Sequence, residues 1–323
     1  MGLVDLHVHS TFSGDAEHTW QEVIDLAVRA GVTLLSLPEH DDLRSARLAG
    51  SCADLPVTLL PGVEVSTRAH GEEIHVLGYG IDPHHGPLVR LLEDIRARQE
   101  QQAMGRVCCL RSLGFRVDPQ VLRRSAYGCP PRSVSILKAL VRCNPHDGRL
   151  QPYYADGHFR WRRFWRDFLA PGRPCWVPLE LPSPAQAVQR IRDAGGRAVL
   201  AHPGAYRSMM GPEGLAGLLR ELVRAGLDGL EAFSTYHRPG EQRRFARLAR
   251  RWGLVCTAGS DFHGHRIKPG IGVGQDLGIP TEVREELQEW AMAIVGGRAS
   301  RQAPVPSCYW DRRCRSYLED RRS

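Results

Sequence analysis

The sequence predicts an α/β protein built on a parallel sheet, and three observations carry that prediction. Short apolar runs alternate with amphipathic, helix-length segments over the first eighty residues and again from about residue 183. Polar clusters follow the apolar runs directly. His40, Glu64, His202 and Asp261 each fall just beyond the C-terminal end of a predicted strand. Repeated strand-then-helix units imply a parallel sheet, either closed as a barrel or doubly wound. Barrel enzymes carry their chemistry at that strand edge.

Taken in order, the apolar segment from Val4 to Val8 runs into a polar loop. Thr19-Trp20-Gln21-Glu22 then has capping-box spacing. Val23, Leu26, Ala27 and Ala30 follow on one helical face, with Gly31 where a C-terminal cap belongs. The run from Val32 to Leu37 predicts a buried strand that stops at Pro38-Glu39-His40-Asp41-Asp42. Further strands are expected from Val57 to Leu60 and from Ile74 to Leu77, the latter containing His75. The pattern breaks over 84–177, where an arginine-rich helical stretch, a Gly128-Cys129-Pro130-Pro131 turn and an aromatic cluster predict an inserted helical subdomain. Residues 1–83 and 178–297 would then form one discontinuous barrel. Alternation resumes at Ser183-Pro184, with strands expected at Ala198–Leu200, Leu230–Phe233 and Leu254–Thr257. The tail, 298–323, is basic and has no barrel periodicity.

Composition narrows the class. A chain of 323 residues, 42% hydrophobic and 24% charged, can bury a full core. No apolar run approaches the roughly 18 residues a membrane span needs, and the first residues lack a signal peptide's basic and apolar regions. A soluble cytoplasmic protein with no membrane partner is the expectation. The nine cysteines include no C-x-x-C pair, only the adjacent Cys108 and Cys109. Reduced thiols are therefore expected, rather than a disulfide framework or a zinc finger. The net charge of +7 suits a polyanionic partner. Yet Lys138 and Lys268 are the only lysines among 43 basic residues, an imbalance that reflects codon bias as much as function.

The strongest local signal is Asp5-Leu6-His7-Val8-His9. Residues two apart on a strand point to the same side, so His7 and His9 can meet one ion together. Alone, such a pair is weak. Here it is joined by Asp15, His40, Glu64, His75, His202, Asp261 and His263, several of them at equivalent strand ends. Imidazole nitrogen and carboxylate oxygen accept manganese, iron or zinc alike. Asp41, next to His40, is read equally as a carboxylate that orients an imidazole or as a solvated loop residue.

Five motifs make the sequence resemble the PHP (polymerase and histidinol phosphatase) family of metal-dependent phosphoesterases. They are Asp5-Leu6-His7-Val8-His9-Ser10-Thr11, Glu39-His40-Asp41, Gly62-Val63-Glu64, Ala201-His202-Pro203 and Gly259-Ser260-Asp261-Phe262-His263. The resemblance implies a distorted seven-stranded, TIM-like (β/α)7 barrel carrying two to three divalent ions (Mn2+, Fe2+ or Zn2+). By motif, His7, His9, Glu64 and Asp261 would hold the first ion. Glu64, as a bridge, with His75 and His202 would hold the second. Asp15, His40 and His263 would hold the third. Phosphate esters hydrolyse slowly because the attacked group is already anionic. Adjacent ions clamp its oxygens, lower the pKa of a metal-bound water and stabilise the leaving oxygen. The implied mechanism is in-line attack by a metal-activated hydroxide, with no covalent enzyme intermediate.

The long insertion between the His75 and His202 motifs resembles the branch of the family that acts on nucleotides. That branch removes the 3′-phosphate of nucleoside 3′,5′-bisphosphates and trims short oligonucleotides from the 5′ end. Arg132, in Pro131-Arg132-Ser133, falls where the branch carries a substrate-binding arginine, a side chain suited to bidentate phosphate contact. Val134 stands where the branch commonly has histidine. Arg207 and Lys268 are further candidate phosphate contacts. The aromatics Tyr153, Tyr154, Phe159, Trp161, Phe164, Trp165 and Phe168, interleaved with arginines, invite a base-stacking role. Packing of the insertion onto the barrel is favoured instead, because Trp161, Trp165 and Phe168 recur at helical spacing. His237 is expected near the mouth but not as a ligand. A nucleotide phosphoesterase leads, followed by a phosphatase for a small metabolite such as histidinol phosphate. A non-catalytic metal- or nucleic-acid-binding module comes third, because all nine ligand types are intact.

Overall fold

A computed structural model describes residues 2–50, 55–206, 209, 214–238 and 240–297. The first part of the chain contains β1 (Leu3–Asp5), α1 (Trp20–Arg29), β2 (Val32–Leu35), β3 (Glu39–His40), α2 (Arg44–Ala49), β4 (Thr58–Leu59), β5 (Gly62–Ala69) and β6 (Glu72–Tyr79). The middle is helical: α3 (Gly86–Ser112), α4 (Pro119–Ser125) and α5 (Ser133–Cys143), then the small hairpin β7 (Tyr154–Ala155) and β8 (His158–Phe159), then α6 (Trp161–Phe164). Alternation returns with α7 (Pro184–Asp193), β9 (Arg197–Leu200), α8 (Gly214–Ala225), β10 (Gly229–Ser234), α9 (Glu241–Arg251), β11 (Val255–Gly259) and α10 (Thr281–Val295). The fold is α/β.

Local chemistry sets several boundaries. The Glu22 amide donates to Thr19 Oγ1, and the Glu22 carboxylate accepts the Thr19 amide at 2.7 Å, which closes the expected capping box of α1. Ser183 and Gln186 repeat the device on α7, with Pro184 in the first turn. Apart from the β7-β8 hairpin, the described strands form two hydrogen-bonded groups, β1-β2-β4 and β11-β10-β9-β6-β5-β3. The expectation of an all-parallel sheet is corrected at one strand: β6 runs antiparallel to both β5 and β9. The cause is the two-residue link His70-Gly71, whose φ angles of 51° and 80° suit the tight hairpin that matches strand twist. The two groups approach each other at β1 and β11. Leu6 donates to the Ala258 carbonyl and His9 to that of Phe262, each at 3.0 Å.

One buried apolar cluster lies between the larger strand group and α7, α8, α9 and α10, including Leu77, Ile191, Leu219 and Phe233. A smaller one joins α1 to β2, with Val23, Ile24, Leu35 and Phe262. The helical middle has its own, built on Leu110, Ile136, Leu137, Leu140, Phe164 and Leu169. Here the aromatic expectation is corrected. Trp161 and Phe168 pack against this middle cluster rather than onto the sheet, and Trp165 is exposed. Tyr153, Phe164 and Phe168 meet with ring centroids 5.3–5.7 Å apart. The helix widens after Phe164, with the Ala170 amide reaching the Trp165 carbonyl five residues back at 2.8 Å. That extra residue shifts the helical face for the residues after Trp165.

The expected set of reduced thiols is also corrected. Cys109 on α3 and Cys175 on the returning chain form a disulfide, their Cα atoms 5.4 Å apart. A partner 66 residues away has no spacing signature. Cys108, Cys129 and Cys143 are in no disulfide. Among the described residues no helix is long and apolar enough to cross a membrane. The tail, 298–323, and Arg207 lie outside the described residues.

Candidate metal centre

The strand ends bring eight of the nine expected ligands into one buried cluster, with Asp15 at its rim. Glu64 on β5 is its centre and is wholly buried. One oxygen, Oε2, lies 3.3 Å from His7 Nε2, 3.3 Å from His9 Nε2 and 2.8 Å from His40 Nδ1. The other, Oε1, lies 2.8 Å from His75 Nδ1 and 3.1 Å from His202 Nε2. Asp261 Oδ1 stands 3.5 Å from His7 Nε2 and 3.1 Å from His9 Nε2. Asp15 is more distant, 3.8 Å from His40 Nε2 and 3.7 Å from His263 Nε2.

Several of these atoms are close without being hydrogen bonded. His7 Nε2, His9 Nε2, His40 Nδ1, His75 Nδ1, Glu64 Oε2, Asp15 Oδ1 and Asp261 Oδ1 are buried with no partner in hydrogen-bond geometry. So many unmet groups in one place would be costly in a finished core. They suit a cation. Ligand atoms at 2.0–2.2 Å from one ion sit roughly 3.0–3.5 Å from each other in octahedral or tetrahedral arrangements. The contacts of His7 and His9 with Glu64 and Asp261 fall in that range. Four overlapping groups could hold a metal: His7-His9-Glu64, His7-His202-Asp261, His40-Glu64-His75 and His9-His40-His263.

Electrostatics agree. Burial alone would raise the Glu64 carboxyl, but His75, His40 and His7 hold it well below the usual carboxylate range. Asp261 is likewise held down against burial, chiefly by Lys268 and His7. Backbone geometry is strained here. His202 and Asp261 have φ of 22° and 51°, and Asp41 has 52°. Residues other than glycine persist in such conformations where the surroundings over-determine them, commonly at functional sites.

Residues not singled out in the sequence complete the surroundings. Glu231 on β10 takes His7 Nδ1 at 3.0 Å and the His202 amide at 2.7 Å. Glu39 accepts hydrogen bonds from the hydroxyls of Ser10, Ser13 and Ser45, and Ser13 Oγ lies 2.8 Å from His9 Nδ1. Glu73 lies 3.3 Å from His75 Nε2. The only signal for Glu231 and Glu39 is a carboxylate inside or next to an apolar run, where burial demands a partner. Glu231→Gln is expected to weaken metal affinity about 10–100-fold by freeing the His7 ring. Metal titration measures it, and unchanged affinity would refute the orienting role.

Asp41 follows neither expected reading. It is buried, and its carboxylate takes the Ser66 amide and hydroxyl at 2.7 Å, Gln99 Nε2 at 2.8 Å and an Arg132 nitrogen at 3.1 Å, with no imidazole. The aspartate therefore anchors Arg132, at the start of α5, against the metal cluster. Lys268 is buried too. Its ammonium donates to the Asp261 carbonyl at 2.8 Å and ion-pairs the carboxylate oxygen that faces away from His9. His237 bonds the Ala232 carbonyl at 2.9 Å, and its ring meets that of Phe245 at a tilt, centroids 4.5 Å apart.

No protein-family model matches the chain. Among curated proteins it is 32% identical to the 3′,5′-nucleoside bisphosphate phosphatase of Chromobacterium violaceum, over 86% of this chain and 91% of that one. It is 30% identical to the phosphoribosyl 1,2-cyclic phosphate 1,2-diphosphodiesterase of Eggerthella lenta, over 81% and 94%. It is 29% identical to the 5′-3′ exoribonuclease Rnm of Escherichia coli, over 89% and 94%. Among solved structures, an amidohydrolase from Chromobacterium violaceum with bound sulfate superposes with a TM-score of 0.74 at 31% identity, covering 88% of this chain and 96% of that one. A Bifidobacterium adolescentis protein described as a metal-dependent phosphoesterase shares the fold, with a TM-score of 0.73 at 23% identity over 88% and 94%. The chain belongs to the PHP family of metal-dependent phosphoesterases and is a hydrolase of phosphate esters.

Proposed function

We propose that the protein removes the 3′-phosphate from nucleoside 3′,5′-bisphosphates, with short oligonucleotides as further substrates. The observation that carries this reading is Arg132, locked by Asp41 and Ser66 beside a buried cluster of unmet histidine and carboxylate groups. Similarity to the Chromobacterium violaceum bisphosphate phosphatase supports the choice of nucleotide.

The architecture is read as a closed, distorted seven-stranded barrel. β2 with β3, and β4 with β5, each count as one interrupted strand, and the Leu6 and His9 hydrogen bonds to the chain at β11 support closure. Residues 84–177 are read as an inserted subdomain, supported by their own apolar cluster. Three ions are assigned: the first to His7, His9, Glu64 and Asp261, the second to Glu64, His75 and His202, the third to Asp15, His40 and His263. Mn2+, Fe2+ and Zn2+ all suit this donor set. When bound, such ions polarise the phosphoryl group and lower the pKa of bound water.

The chain's own residues do the rest. Glu64 places one oxygen toward each of two ligand groups. Glu231 and Ser13 fix the His7 and His9 rings, so that the nitrogens facing Glu64 stay available. Lys268 offsets the charge on the far oxygen of Asp261. Arg132 uses one nitrogen on Asp41, leaving guanidinium donors for phosphate oxygens. Val134, where the branch commonly has histidine, is buried and offers no second donor.

Purified protein supplied with Mn2+ is expected to hydrolyse adenosine 3′,5′-bisphosphate with a higher kcat/KM than histidinol phosphate or phosphoribosyl 1,2-cyclic phosphate. Clear preference for either of the latter would overturn the nucleotide reading. Stoichiometric metal with no hydrolysis of any ester would favour a binding module.

A further inference from the structure

A second group of charged side chains beside the centre has no part in the reading above. Arg68 lies near the outer end of β5, paired across the hairpin with Glu73. Glu64, Ser66 and Arg68 share one side of the strand. Arg68 therefore continues the line that begins at the metal cluster and passes Ser66, whose hydroxyl lies 3.5 Å from Arg132. From the opposite side, α3 presents Gln99 to Asp41 at 2.8 Å. Two turns further along the same buried stripe comes Arg106.

Arg106 is only 9% exposed, and its Nε is buried with no hydrogen-bond partner; the Nε of Arg68 is in the same condition. Burial pulls the Arg106 guanidinium down to about 10, and the charges it feels are Glu73, which attracts, and Arg68, which repels. Glu73 is already engaged with His75. Two guanidiniums thus lie within electrostatic reach of one occupied carboxylate, each with a buried Nε that has no hydrogen-bond partner. Such an arrangement weakens a fold unless an anion completes it.

We propose that Arg68 and Arg106 form a subsite for a second phosphate group of the substrate, next to Arg132 and the metal centre. The proposal rests on the nucleotide reading and adds to it: the 3′-phosphate reacts at the centre while the 5′-phosphate sits on the two arginines. Water oxygen bonds to phosphorus, the bond from phosphorus to the 3′ oxygen breaks, and that oxygen takes a proton. The 5′-phosphate is unchanged, so the product nucleoside 5′-monophosphate keeps the group the subsite holds. Planar guanidiniums with free N–H pairs suit bidentate phosphate contact.

Arg68→Gln and Arg106→Gln, compared with the wild-type protein in the presence of Mn2+, test this. On adenosine 3′,5′-bisphosphate each variant is expected to lose about tenfold or more in kcat/KM, mainly through KM, the weight of one charge-assisted hydrogen bond. On adenosine 3′-monophosphate the loss is expected to be several-fold smaller. The inhibition constant of adenosine 5′-monophosphate should rise by about the same tenfold. Equal losses on both substrates, or none on either, would overturn the subsite. Arg68 is only partly buried, so its variant carries the test if Arg106→Gln fails to fold. Should the wild-type protein ignore nucleotides, the nucleotide reading fails, and the same comparison is made on the best non-nucleotide bisphosphate and its monophosphate. A wild-type enzyme that gains nothing from a second phosphate on any scaffold overturns the subsite and leaves the phosphoesterase intact.

Discussion

Glu64→Gln is expected to lower kcat/KM on the order of 10³-fold or more and to deplete bound metal, with the fold retained. The argument lies in how the two oxygens are shared. Oε2 faces His7, His9 and His40, while Oε1 faces His75 and His202. Glutamine keeps the shape but removes the charge, and it turns one acceptor into a donor aimed at imidazole nitrogens. Among the described carboxylates of the cluster, Glu64 alone makes direct contact with histidines of both sets. The direct histidine contacts of Asp261 are with His7, His9 and His263. Activity and metal content of the purified variant measure the effect, with a melting curve to check folding. Full activity with full metal would remove Glu64 from the mechanism.

Much of this centre was legible in the sequence because metal ligands are confined to few residue types and sit at strand ends. His7 and His9, two apart, and Asp261 and His263, two apart, drew notice by spacing, and the other histidines and carboxylates near strand ends gave that spacing weight; in the structure β1 ends at Asp5 and the two histidines follow it. Glu231 and Glu39 drew no such notice. Glu231 is a lone carboxylate whose partner His7 lies 224 residues away, and Glu39 is met by serines at no recognisable spacing. Asp41 was noticed for the wrong partner, since adjacency to His40 suggested an imidazole, while the chain turns at Asp41 with a φ of 52° and its carboxylate meets Ser66 and Arg132. A left-handed residue just past the strand end carries no sequence signal that says where its side chain will go.

The fold shows the same division. The capping box at Thr19 and the alternating apolar runs predicted α1 and most strands, because those signals are local. The reversal of β6 was missed. His-Gly is a weak hairpin signal beside Asn-Gly, and only the positive φ at both His70 and Gly71 exposes the tight turn. The aromatic segment was misjudged because helical spacing at Trp161, Trp165 and Phe168 assumes an unbroken helix. One extra residue in the turn at Trp165–Leu169 cancels that assumption.

Removing metal is expected to abolish hydrolysis and to lower Tm by on the order of 10 °C. The buried nitrogens and oxygens without hydrogen-bond partners at the strand ends carry the argument. Folding must bring Glu64, Asp261 and their histidines out of water, and among the described residues little but an ion can satisfy all of them. A cation that binds the folded state and not the unfolded one stabilises it by about 4 kcal/mol at a thousand times its Kd. In a chain of this size each kcal/mol moves Tm by roughly 2–4 °C. Because the cluster links β1, β3, β5, β6 and β11 with the loop that carries His202, the loss should appear as a shift of the main transition. Dialysis against a chelator, followed by calorimetry and phosphatase assay, measures both quantities, and Mn2+, Fe2+ and Zn2+ added back separately identify the ion that restores them. Activity and Tm that survive complete chelation would refute a metal centre built on these residues.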